Sequence, residues 1–116
     1  MNTLRNKVSL IGRLGAQPEV VKLESGRSLT RFSIATNESF KNKDGEWKEK
    51  VTWHEINAWG KTADMVVKLL QKGHEVALDG QLVNNEYLSK TGEKRQSTKI
   101  IVRDFLLLTP LGDEKN

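Results

Sequence analysis

There is no cysteine in the 116 residues, which removes a disulfide framework, a thiolate zinc site and a cysteine nucleophile from consideration. Prolines number only two, and neither a low-complexity segment nor an internal repeat breaks up the chain. Long apolar runs are missing as well. The opening MNTLRNKVSLIGRLG turns charged at once, unlike the apolar stretch of about 7–15 residues in a secretory signal. No segment approaches the roughly 20 apolar residues of a membrane helix. The expectation is a soluble protein of the cytoplasm. Aromatic residues are scarce, at 6%, so where they fall carries information.

What is present suits one compact domain. Hydrophobic residues make up 36% and nine glycines raise the apolar share to near the ~45% usual for a globular chain. Lys and Arg total 19 against 15 Asp and Glu, a net charge of +4. That excess suits a polyanionic partner without establishing one, since many globular proteins are equally basic.

Val8, Leu10, Gly12 and Leu14 alternate with Lys7, Ser9, Ile11 and Arg13, the period of a strand with one buried face. A second alternation sets Thr30, Phe32, Ile34 and Thr36 against Leu29, Arg31, Ser33 and Ala35. Residues 39–50, with four lysines, three acids and the Asp44-Gly45 pair, read as a hairpin-like loop, and residues 51–59 as a third strand. Thr62 can cap a short helix with Ala63, Val66, Val67 and Leu70 on its apolar face, ended by Gly73. Val76, Leu78, Gly80 and Leu82 mark a fourth strand, and residues 99–108 a fifth. The polar residues 84–98 around Thr91-Gly92 join these two as a protruding hairpin. Five strands with one short helix between the third and fourth predict an all-β OB-fold, a five-stranded Greek-key barrel.

The informative segment is Val51-Thr52-Trp53-His54-Glu55-Ile56-Asn57-Ala58-Trp59. Alternation places Val51, Trp53, Glu55, Asn57 and Trp59 on one face, with the two tryptophans about 20 Å apart. A dry core seldom accepts Glu55 and Asn57 between them, because an unpaired buried charge or amide costs several kcal/mol. Two readings follow. The indoles close the barrel or fill a subunit interface, or they are a platform on which unpaired bases stack at roughly 1–3 kcal/mol each. Lys41, Lys43, Lys48, Lys50 and Lys61, interleaved with Phe40, Trp47, Trp53, Trp59 and Tyr87, favour the second, since lysines supply the phosphate contacts of such a site.

Other apparent sites dissolve on inspection. Gly60-Lys61-Thr62 resembles the end of a P-loop, but the glycine that motif needs five positions earlier is Glu55. His54 and His74 have no cysteine or HExxH arrangement to make a metal site, so no metal or other cofactor is expected. His54, opposite Trp53 in parity, reads as a buried, hydrogen-bonded residue. No spacing marks a nucleophile with its base, so no enzyme is expected.

Taken in order, Asn6-Lys7-Val8, Leu14-Gly15, Pro18-Glu19-Val20, Ala35-Thr36 with Glu38-Ser39, Trp53-His54, Gly60-Lys61, Lys72-Gly73 and Gly80-Gln81-Leu82 resemble the bacterial single-stranded DNA-binding protein family. The likeness spans residues 6 to about 111. It implies an OB-fold homotetramer that wraps single-stranded DNA in replication, recombination and repair, in a bacterial cytoplasm and at its nucleoid. By position it implies stacking aromatics at Phe40, Trp53, Trp59 and Tyr87, and phosphate contacts from Arg5, Lys7, Lys43, Lys61 and Lys72. It also implies a subunit-interface role for His54.

Glu55, Asn85 and Glu86 stand where basic residues are common in the family. The salt slope of binding, roughly −0.7 per neutralised phosphate, is therefore expected to be shallow. Relatives continue into a Gly/Pro/Gln-rich linker and an acidic tip that recruits replication and repair enzymes. Here residues 112–116 read as a short tail in which Asp113 and Glu114 are too few to replace that tip, so such partners are not expected. Trp47 is an aromatic without an assigned role. One alternative is an OB-fold replication-restart accessory of primosomal type, which mainly docks other proteins. An RNA-binding domain of cold-shock type fits less well, for want of clustered RNP-like aromatics.

Overall fold

A computed structural model describes residues 5–109. The expected tail, 112–116, and the expected end of the domain at residue 111 lie outside the described residues. The elements run β1 (Val8–Leu14), β2 (Glu19–Lys22), β3 (Ser28–Lys41), β4 (Trp47–Trp59), α1 (Gly60–Leu69), β5 (Glu75–Leu88) and β6 (Lys94–Leu107).

β1 pairs antiparallel with β5, β5 with β6, and β4 with β3, while β6 and β4 meet in a short parallel register at Ile56↔Ile100 and Asn57↔Ile101. Arg13↔Ala35 and Leu14↔Ile34 bring β1 back onto β3 and close a five-stranded barrel. This is the OB-fold the strand order predicts, with the helix after the third barrel strand. β2 lies outside the barrel on the far edge of β3, with Val20 opposite Thr30. The sequence reading missed it, because four residues in an exposed edge strand need no buried alternation.

The inward parities expected for β1, β3 and β5 are the buried ones, except that Leu82, where β5 begins to leave the barrel, is exposed. Leu14, Phe32, Ile34, Ile56, Ala58, Val76, Leu78, Ile100 and Val102 fill the barrel, and Ala63, Val66 and Leu70 of the helical segment cap its end. Ile34 and Ile56 are fully buried, where loss of a side chain beyond Cβ typically costs 2–5 kcal/mol. The Thr30 hydroxyl donates to the Ala63 carbonyl at 3.3 Å and ties β3 to the helix.

Two expectations about the helix need correction. Thr62 is not its cap. The chain passes from extended Trp59 (φ −119°, ψ 150°) straight into the helix through Gly60 at φ +60°, a conformation that glycine adopts without strain. No side-chain capping bond is made. Val67 is exposed rather than core-facing, because Ala63, Val66 and Leu70 already complete the narrow stripe that meets the barrel. The helix ends at Leu69, before Gly73.

The reading of residues 39–50 as loop was also too generous. β3 and β4 continue as a paired ribbon to Lys41↔Trp47, leaving only residues 42–46 as the turn. Beyond the barrel both ribbon faces are wet, so the hydrophobic alternation that betrays a strand disappears while the backbone ladder persists. β5 and β6 extend in the same way as a second ribbon, to Leu88↔Lys94. This is the protruding hairpin expected around Thr91-Gly92.

Candidate nucleic-acid interface

β4 supplies the centre of the site. Its Thr52, His54, Ile56 and Ala58 face inward and Val51, Trp53, Glu55, Asn57 and Trp59 face outward, the division that alternation predicts. Trp53 is 60% exposed although it sits on a central strand. Its ring is seated rather than free. A Cβ built on Gly15 would lie 2.6 Å from two atoms of the indole six-membered ring and 3.8 Å from the next, so the bare glycine backbone makes room for the outer edge of the ring. Ala35, directly across on β3, keeps that side of the ring low. With one edge held there and the residue largely exposed, the indole can offer a face to a base.

Trp59, on the same face, is half-buried, and the Arg27 guanidinium lies over its ring, 4.6 Å from the centroid. This cation–π contact occupies one ring face and adds a positive charge beside it. Arg27 escapes a reading from sequence because only the β3–β4 register, Leu29↔Trp59, brings it there. Between the tryptophans, Glu55 stands opposite Ser33 and Asn57 opposite Arg31. Arg31 forms an exposed ion pair with Glu19 at 3.2 Å, worth little in itself. The Asn57 carboxamide oxygen is buried without a hydrogen-bond partner among the described residues, a cost of about 1–3 kcal/mol carried on this same face. A groove of about 370 Å³ runs beside it, bordered by Gln17, Glu19, Arg31 and Glu55.

The other aromatics occupy the ribbons. Tyr87, 52% exposed, pairs with Arg95 near the β5–β6 tip and shares outward parity with Gln81 and Ile101; Ile101 lies beside Asn57 of β4. Phe40, 46% exposed, pairs with Lys48, and its parity is that of Ile34 and Thr36. It therefore lies on the ribbon face opposite to Trp53. Lys50, across from Glu38, and Lys48, in an exposed pair with Glu46 at 3.8 Å, fall on the Phe40 face too. The five lysines interleaved with aromatics in sequence are thus divided between two faces.

The remaining cations are distributed around the barrel. Lys61 stands in the first turn of α1, where the helix dipole adds to its positive field, two residues beyond Trp59. The Lys72 backbone N–H donates to the Gln17 side chain at 3.2 Å, which ties it to the same β1–β2 connection as Gly15, the seat of Trp53. Lys43 is exposed in the β3–β4 turn. Arg5 and Lys7 flank Asn6, whose carboxamide exchanges two 3.0 Å hydrogen bonds with the Leu82 backbone. They therefore lie beside the middle of β5 rather than beside Trp53. His54 is half-buried rather than buried, and its Nε2 lies 3.1 Å from the Thr36 hydroxyl, within hydrogen-bond distance.

Residues 5–108 match the family model described as the single-strand binding protein family. The chain is 42% identical over 104 residues to the Single-stranded DNA-binding protein 1 of Chlorobaculum tepidum, covering 89% of this chain and 64% of that relative's length. Among solved structures, the Plasmodium falciparum SSB in complex with ssDNA superposes with a TM-score of 0.81 at 33% identity, over 89% of this chain and 94% of the other. A deletion mutant of the single-stranded DNA binding protein from Thermus aquaticus gives 0.80 at 27% identity, over 92% and 52% of the two chains.

Proposed function

The chain belongs to the single-strand binding protein family, and from that premise we propose that it binds and protects single-stranded DNA with little regard to sequence, in replication, recombination and repair. The observation that carries this reading is Trp53, largely exposed with its ring edge held against Gly15, on the strand face it shares with Trp59. Fixed rings need no ordering when a base arrives, and every base has a face to stack, so affinity comes without sequence readout. Phe40 and Tyr87 add stacking surfaces on the two ribbons. Arg5, Lys7, Lys43, Lys61 and Lys72 neutralise phosphates, and Arg27 belongs with them. Its role is that of a binding protein rather than an enzyme, at work in a bacterial cytoplasm.

The same reading assigns a homotetramer. Val8 to Gly12 of β1 pair with β5 on one edge, whereas β3 takes up only Arg13 and Leu14 on the other. That leaves a strand edge for a second copy. Beside it, Ile11, Ala77 and Leu106 form a row across β1, β5 and β6, and Ile11 and Leu106 are exposed. His54 contributes to a subunit contact.

Protein fluorescence is expected to be quenched on addition of oligo-dT, and affinity to fall with salt at a slope of about −4 per protomer if all six assigned cations neutralise phosphates. Trp53→Ala should weaken binding by about 1–3 kcal/mol with little change in Tm. Equal affinity for duplex and single strand, or for neither, would sink the proposal. A Trp53→Ala variant that binds normally and melts much lower would make Trp53 a packing residue.

A further inference from the structure

Trp47 opens β4 and, at 71% exposure, is the most exposed large apolar side chain among the described residues. A single exposed tryptophan needs no explanation by itself. Its phase does. Trp47, Glu49, Val51, Trp53, Glu55, Asn57 and Trp59 alternate along one unbroken strand, so Trp47, Trp53 and Trp59 share a parity at equal six-residue steps, about 20 Å each. No other assigned aromatic continues that row. Phe40, one register position away, falls on the opposite face.

The ring is also mounted on a fixed support. The turn before it is organised by Asn42, whose Oδ1 accepts 2.9 Å hydrogen bonds from the backbone N–H groups of both Asp44 and Glu46. The Asn42 N–H donates to the Glu46 carbonyl at 2.9 Å, and the ladder closes at Lys41↔Trp47. Lys41 is thus the cross-strand neighbour of Trp47 on the same face, at the separation where a cation can meet the phosphate of a base stacked on the indole.

We propose that Trp47 is a third stacking platform, taking a base of the same strand of DNA that passes over Trp53 and Trp59, with Lys41 on its phosphate. The inference rests on the single-strand-binding function proposed above and extends it: the β3–β4 ribbon lengthens the binding track beyond the barrel. Glu49 is the one acid on this face between Trp47 and Trp53, and it opposes the passage of the phosphates.

The test is anisotropy of labelled oligo-dT of graded length, against the wild-type protein, Trp53→Ala, Trp47→Ala, Trp47→Phe and Glu49→Gln. Trp47→Ala is expected to match the wild type on strands too short to span from Trp53 to the ribbon tip, and to lose roughly 5- to 150-fold on long ones. Its affinity should therefore stop rising at a shorter length. Trp47→Phe should recover part of the loss, and Glu49→Gln should tighten only the long strands. If Trp53→Ala weakens binding while Trp47→Ala follows the wild type at every length, the third platform is wrong and the proposed function stands. Loss by Trp47→Ala at all lengths together with a lowered Tm would make the residue structural and overturn the inference. A wild-type protein that binds no single strand overturns the function itself.

Discussion

Trp53 shows how little a residue's type says without its surroundings. An indole on a wet strand face would ordinarily sweep several rotamers, and ordering it would cost affinity. The missing side chain at Gly15 lets the outer edge of the ring come up against the backbone, and Ala35 across the ladder leaves it room. Gly15→Ala places a methyl within 2.6 Å of the ring, so the indole must tilt away. The expected outcome is a fall in single-strand affinity of up to the ~1–3 kcal/mol of one stack, with Tm nearly unchanged because the ring is outside the core. Parallel titration and melting of this variant check it, and unchanged affinity would show that the ring stacks equally well when tilted. At Trp59 the neighbour is instead Arg27, which leaves a base only the ring face the guanidinium does not cover.

The two long ribbons differ from the barrel in what holds them. Inside the barrel, β3 and β4 are fastened by Phe32, Ile34 and Ile56. Beyond Thr36↔Thr52 they are fastened by backbone hydrogen bonds and by the Asn42 turn. Removal of that side chain by Asn42→Ala frees the N–H groups of Asp44 and Glu46. In hydrogen exchange these amides should open faster while those of Ile34 and Ile56 keep their protection, since the ribbon end can fray without the core. Uniform loss of protection would show that turn and barrel unfold as one unit. The ribbon was legible only in part from sequence. The Asp44-Gly45 pair located the turn, but Glu46 to Lys50 lack the apolar alternation that marks a strand, because neither ribbon face there is buried.

For the molecule as a whole, the edge of β1 and the exposed row of Ile11 and Leu106 lead to a definite expectation about assembly. Light scattering should report four chains in solution. Ile11→Glu should lower that number, because it sets a charge in an apolar contact at a cost of several kcal/mol. A wild-type monomer would contradict the tetramer and would leave one barrel with its two ribbons as the entire binding unit. Charge bears on the same question. Among the described residues the cations assigned to phosphates are not gathered in one patch. Arg5 and Lys7 lie beside β5, Lys61 is in the first turn of α1 with Lys72 beyond its end, and Lys43 is at the ribbon tip, so a strand that meets all five must wrap around the barrel rather than cross one side of it.

The barrel strands, the helix and the outward phase of Trp53 and Trp59 are all legible in the residues alone, because burial on one side of a strand imposes a period of two that local residues record. The sequence also held the phase of Trp47, which could not be used until the strand was known to run back that far. What lies against each ring is fixed by the fold. Gly15 at the edge of Trp53, Arg27 over Trp59 and Phe40 on the opposite face all depend on strand register, and register is set by contacts between residues far apart in the chain.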